Sequence, residues 1–177
     1  MFDHILVTTD GSALGNLALP IAADLARKYG GSLTLLYVVP TPSPPPILSG
    51  GVAYMYVHTL PAESARLQRE GQLILAEARK LLDVPGVQAL CTEARGLNVP
   101  QTVAAEVRRV GAGLVVMGTH GRSGIAHLFL GSVAEAVLRG VDVPVLLIRP
   151  PGGEAEDTPK TPEGMGAAGL PDGPPPS

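Results

Sequence analysis

Leu114-Val115-Val116-Met117-Gly118-Thr119-His120-Gly121-Arg122-Ser123-Gly124, followed by Gly131-Ser132 and a helical pattern from Val133 to Arg139, decides how this chain is read. An apolar run of strand length leads straight into glycines, and the glycines lead into a helix. Glycine lets a backbone approach a ligand at dihedral angles other residues resist. The N–H groups of such a turn and of the helix start form a concave, electropositive seat suited to phosphate. The spacing Gly118-x2-Gly121-x9-Gly131-Ser132 has neither a Gly-Lys-Ser/Thr ending nor a G-x-G-x-x-G core. It is thus distinct from the Walker loop and from the dinucleotide fingerprint, and it predicts a nucleotide site of another kind.

Working outward, the apolar runs Ile5–Val7, Leu33–Val39, Leu114–Met117 and Val143–Ile148, with a weaker one over Val87–Thr92, have the length of strands. They are nearly continuous in hydrophobicity, as strands covered on both faces are. Helical faces lie between them. The first is Leu14, Leu17, Ala18, Ile21, Ala22 and Leu25; the second is Leu67, Gly71, Ile74, Ala78 and Leu81. A third carries Val103, Val107 and Val110 behind an Asn98 cap and Pro100, and a fourth carries Val133, Ala134, Val137 and Leu138. The alternation predicts an α/β fold, an open parallel sheet with helices on both faces. Pro20 lies inside the first helical pattern and predicts a kink or a loosened first turn there.

Two segments fall outside this pattern. Pro40 to Pro46 is a stiff, polyproline-like exit from the second strand, and Ile47 to Leu60 shows no clear period. Together they predict a lid-like or contact loop over residues 40–61. The 27 residues from Pro151 to Ser177 hold seven prolines and six glycines and predict a disordered tail behind a single domain over residues 1–150.

The 177 residues carry 13 basic and 16 acidic side chains, a net charge of −3, with no basic cluster, so nucleic-acid binding is not expected. No apolar run reaches a membrane span and no signal-peptide pattern opens the chain, which predicts a cytoplasmic protein. One cysteine, Cys91, excludes an internal disulfide, and its apolar neighbours predict an inert packed thiol.

In an open parallel sheet, ligands bind beyond the carboxyl ends of strands whose crossovers depart to opposite faces. The first strand ends in Thr8-Thr9-Asp10-Gly11-Ser12 and the fourth in the glycine-rich turn. If the two strands are neighbours, both loops face one crevice, with main-chain amides between 118 and 133 unpaired and turned to an anion. Asp10 beside a polyphosphate calls for Mg²⁺ bound through the phosphates, or for base and ribose next to it. Plainer roles exist for the same residues. Ser132 with Glu135 matches a capping box, Thr9 and Asp10 suit a helix cap, and His120 and Arg122 suit a solvated turn. His4, His58 and His127 lack partners at metal-ligand spacing, and no nucleophile–base pair stands out, so holding a nucleotide is favoured over consuming it. Slow ATP hydrolysis or nucleotidyl chemistry is a second reading, with Asp10 and His120 as its candidates to position water. A purely structural interaction module without nucleotide is a third.

Ile5-Leu6-Val7-Thr8-Thr9-Asp10-Gly11-Ser12, Leu36-Tyr37-Val38-Val39, the Gly118-x2-Gly121-x9-Gly131-Ser132 stretch and Val143-Pro144-Val145-Leu146-Leu147-Ile148 together resemble the universal stress protein family over residues 1–150. The glycine motif resembles that of its ATP-binding branch. The resemblance implies a Rossmann-like sheet of five strands in order 3-2-1-4-5, with ATP at the carboxyl ends of the first and fourth strands. It implies Thr9 and Asp10 near the ribose and Val38 against the adenine. Met117, Gly118, Thr119, His120, Gly121 and Arg122 would line the crevice, and Gly131, Ser132 and Val133 would surround the phosphates. It also implies a homodimer through residues 143–148, roles in stress resistance and regulation, and slow or no ATP hydrolysis. Thr8 and Gly113 depart from the residues common in the family at those positions, and the 40–46 segment and the tail are not family features.

Overall fold

A computed structural model describes residues 2–41, 50–94, 96–119 and 130–149, over 50–59 the backbone alone. The strands are β1 (His4–Thr8), β2 (Ser32–Val39), β3 (Gln88–Glu93), β4 (Leu114–Gly118) and β5 (Val145–Ile148). The helices are α1 (Ala13–Asn16), α2 (Ala18–Tyr29), α3 (Gly50–Lys80), α4 (Val99–Val110) and α5 (Ser132–Gly140). All strand pairs are parallel, in the order β3-β2-β1-β4-β5. The expected sheet and strand order are those observed.

Successive strand residues face opposite ways, and two cores result. Ile5, Val7, Leu33, Leu35, Leu114 and Val116 pack with Ala18, Leu19, Ala22 and Ala26 of α2 and Leu75 and Ala78 of α3. Leu6, Leu36, Val115 and Met117 face the other way, onto Val103 and Val107 of α4 and Ala134 and Val137 of α5. This double coverage explains why the strands read as continuous apolar runs.

Local signals hold at most helix ends. Asn98 caps α4 in a full capping box, its side chain accepting from Gln101 N at 2.9 Å while Gln101 Oε1 accepts from Asn98 N at 3.0 Å. The irregularity expected at Pro20 is the break between α1 and α2 at Leu17. Proline has no N–H to give the Asn16 carbonyl, so the ladder is interrupted there, and Pro20 sits in the first turn of α2, where that loss is tolerated.

Three expectations are corrected. Residues 50–60 are not a loop: α3 is helical from Gly50, passes through Pro61 and spans 31 residues. Glycines, aromatic residues and β-branched residues are weak helix formers, which hid this segment. Extending a helix already docked on the sheet, however, avoids the cost of nucleation. Residues 42–49 of the expected loop, like the tail from 151, lie outside the described residues. At the other end of α3, Leu81 is 52% exposed and Leu82 takes the buried place. The bonds Leu81 N to Ala78 O and Leu82 N to Arg79 O, both 3.1 Å, tighten the last turn and rotate Leu82 inward. β5 starts at Val145, not Val143; Pro144 has no N–H for a ladder, although its carbonyl accepts from Val115 N at 3.0 Å.

Gly71 sits in the buried face of α3 although glycine weakens helices. A Cβ there would stand 2.8 Å from both the Cys91 Sγ and the Tyr37 ring, so its absence lets helix and sheet approach.

Candidate functional site

The crossovers from β1 and β4 depart to opposite faces, α1 and α2 to one and α5 to the other, which makes the gap between these two strands the switch point of the sheet. β1 and β4 are adjacent, with Val7 beside Val116. Two residues further along that register Thr9 is level with Gly118, so the Thr9–Ser12 loop and the start of the glycine-rich turn border the same crevice.

The β1 side is a closed hydrogen-bonded unit. Thr9 is 6% exposed, and its hydroxyl donates to Asn16 Oδ1 at 2.6 Å and accepts from Gly11 N at 3.0 Å. Asp10 Oδ1 accepts from both the N–H of Ser12 at 3.0 Å and its hydroxyl at 2.6 Å. Ser12 in turn caps α1, its Oγ accepting from Gly15 N at 3.0 Å. The helix cap, a plainer role open to Thr9 and Asp10, belongs to Ser12. Thr9 and Asp10 brace the loop, because a short side chain two residues upstream of an N–H forms a local turn. Sequence reasoning overlooked Ser12, Gly15 and Asn16; the signal available was the Asp10-Gly11-Ser12 turn itself.

On the β4 side, Thr119 N donates to Ile148 O at 2.9 Å, and Gly131 N donates to Thr119 O at 2.8 Å. The second bond closes the ends of the 120–130 segment and sets the N-terminus of α5 on the carboxyl end of β4. It also corrects the expectation of amides left unpaired throughout 118–133, since two of them are spent on strand and loop closure. What remains among the described residues is the first turn of α5. Glu135 N begins the helical ladder on Gly131 O at 3.0 Å, so the N–H groups of Ser132, Val133 and Ala134 have no intrahelical acceptor.

The expected capping box at Ser132 is absent. Gly131 is the N-cap, with no side-chain cap bond, and Ser132 is the first helical residue. Glu135 reaches forward to Arg139 at 2.8 Å, an i,i+4 ion pair, and not back to the helix start. Among the described residues no side chain caps this first turn, and amides so placed suit an external anion.

The remaining residues divide. Ser132 and Val133 are exposed at this start of α5. Val38 is partly buried at the carboxyl end of β2, packed on the core that faces α4. Met117 is 5% exposed in that same core, so its side chain is packing and only its backbone reaches the crevice floor. His120, Gly121 and Arg122 lie outside the described residues. Cys91 is half-buried with its Sγ 3.9 Å from Gln68 O; burial first, and Glu93 second, push its thiol up from the ordinary value. It stays protonated and is remote from the crevice chemistry.

Comparison with known proteins agrees with this fold. A universal stress protein of Bacillus subtilis is 30% identical over 149 residues, covering 84% of this chain and 100% of its own length. The structure of a universal stress protein of Lactobacillus plantarum superimposes with a TM-score of 0.63 at 19% identity, covering 84% of this chain and 98% of that one. Another universal stress protein, solved in complex with cAMP, superimposes with a TM-score of 0.53 at 23% identity, covering 84% and 97%. The profile of the universal stress protein family matches residues 1–149. Sheet order and sequence similarity converge, and this chain belongs to the universal stress protein family.

Proposed function

We propose that this universal stress protein binds an adenine nucleotide, ATP foremost, in the crevice between β1 and β4, and acts through it as a nucleotide-dependent switch in stress response. One observation carries the reading: the Gly131 N to Thr119 O bond sets the open first turn of α5 beside the switch point of the sheet. Phosphates on the N–H groups of Ser132, Val133 and Ala134 meet the positive end of the helix. Asp10, on the other wall, faces base and ribose, away from that charge. The glycine motif of residues 118–132 resembles that of an ATP-binding branch, and the cAMP complex of a similar protein makes cAMP the natural competitor to test.

Mg²⁺ fits as a companion of the phosphates. Among the described residues no three His, Cys, Asp or Glu side chains converge into a cage, and nucleotide-borne Mg²⁺ needs none. A homodimer through β5 completes the reading. β5 is one of the two edge strands, Leu146 on it is 36% exposed, and Val133 and Leu138 of the adjoining α5 are 40% and 46% exposed.

Isothermal titration with ATP, GTP and cAMP, each with Mg²⁺, tests the proposal. Saturable binding preferring adenine nucleotides is expected; no heat from any of them at millimolar concentration would refute it.

A further inference from the structure

Gly15 lies in α1 with φ outside the left-handed region, in a backbone any residue could adopt and where alanine is the better helix former. Neither the turn nor the helix calls for glycine at this position. What calls for it is the Asp10 carboxylate: a Cβ built on Gly15 would overlap Asp10 Oδ1, stand 3.3 Å from Asp10 Cγ and come within 3.1 Å of Ser12 Oγ. The carboxylate is thus seated on the bare Cα of Gly15 and held there by the Ser12 N–H and hydroxyl. We infer that Gly15 is a positioning residue for nucleotide binding, kept without a side chain so that Asp10 can present its carboxylate to the crevice in one orientation. The inference rests on the nucleotide reading above.

The physical asymmetry makes it testable. The atom in the way of a new methyl is the end of a short side chain, not backbone, so in Gly15→Ala the fold yields by rotating Asp10. That rotation gives up the two bonds from Ser12, partly offset by the better helix propensity of alanine, so any stability lost is lost through Asp10, together with the orientation of the site. A glycine required by the fold itself would lose stability on substitution whether or not Asp10 is present.

The experiment is a double-mutant cycle on the full chain: wild type, Gly15→Ala, Asp10→Ala and the double variant, each titrated with Mg²⁺ and ATP and each melted without nucleotide. Gly15→Ala is expected to weaken ATP binding at least fivefold with a melting midpoint no lower than that of Asp10→Ala, and to cost nothing further, in binding or in midpoint, in the Asp10→Ala background. ATP bound by wild type and Gly15→Ala alike overturns the inference and leaves the nucleotide reading standing. So does an equal loss in both backgrounds, or a midpoint that Gly15→Ala lowers in the Asp10→Ala background as well. No ATP binding by the wild type overturns the nucleotide reading, and the inference falls with it.

Discussion

Gly131 carries two opposed demands. As the N-cap of α5 it contributes no side-chain bond, although an aspartate there would accept from the first-turn amides and stabilise the helix by a few tenths of a kcal/mol over glycine. That same carboxylate would occupy the place assigned to a phosphate. Gly131→Asp should therefore melt no lower than wild type and bind ATP at least tenfold more weakly, a loss of about 1.4 kcal/mol or more. Calorimetric melting and titration on one preparation read both signs; a variant that binds normally removes α5 from the phosphate site. Cys91 is a plainer case. Its thiol is raised by burial, so the folded state binds that proton more tightly than the unfolded chain. The stabilisation is complete below the unfolded thiol's pKa and is lost as pH rises through the folded one. Cys91→Val should flatten the alkaline decline of wild-type stability, followed by urea titration at stepped pH; an unchanged decline would place its origin elsewhere.

At the scale of the element, α3 teaches most. Its docked half was legible because Leu67, Gly71, Ile74 and Ala78 recur on one helical face, and Gly71 proved to be a place where Tyr37 and Cys91 come close. Its first half was not legible, because residues 50–60 carry weak helix formers and end at Pro61, signals that describe local preference while propagation from a docked helix decides the outcome. Pro61 inside the helix leaves the Val57 carbonyl without its N–H partner. Pro61→Ala should restore that bond and slow hydrogen exchange of the amides over residues 50–60 by one or two orders of magnitude, since an interior proline costs about 3 kcal/mol. Exchange unchanged by the substitution would contradict a helix continuous through position 61. The reading of α5 failed in a related way: Ser132 and Glu135 have the spacing of a capping box, but Glu135 pairs with Arg139, a choice that depends on where the helix begins and not on the pair of residues.

For the molecule as a whole, strand order and the meeting of the β1 and β4 loops were legible from strand-length apolar runs and a family resemblance, because a doubly covered sheet imposes continuous hydrophobicity on its strands. What the sequence could not convey was which amides the fold consumes. Thr119 and Gly131 look alike to a motif, yet closure of the 120–130 segment takes the N–H of Gly131, and β5 takes that of Thr119. The open edge of β5 belongs to the same scale. Leu146→Glu, placing a charge on that exposed strand, should convert a dimer to monomers in light scattering at micromolar concentration. A dimer that survives it would assign the contact to another surface.

Amide chemical shifts of ¹⁵N-labelled protein titrated with Mg²⁺ and ATP test the central claim most directly. The account predicts saturable shifts that are largest at Ser132, Val133 and Ala134 and accompanied by Asp10 and Gly118. Saturable shifts that leave the first turn of α5 untouched, or no shifts at millimolar ATP, would contradict it.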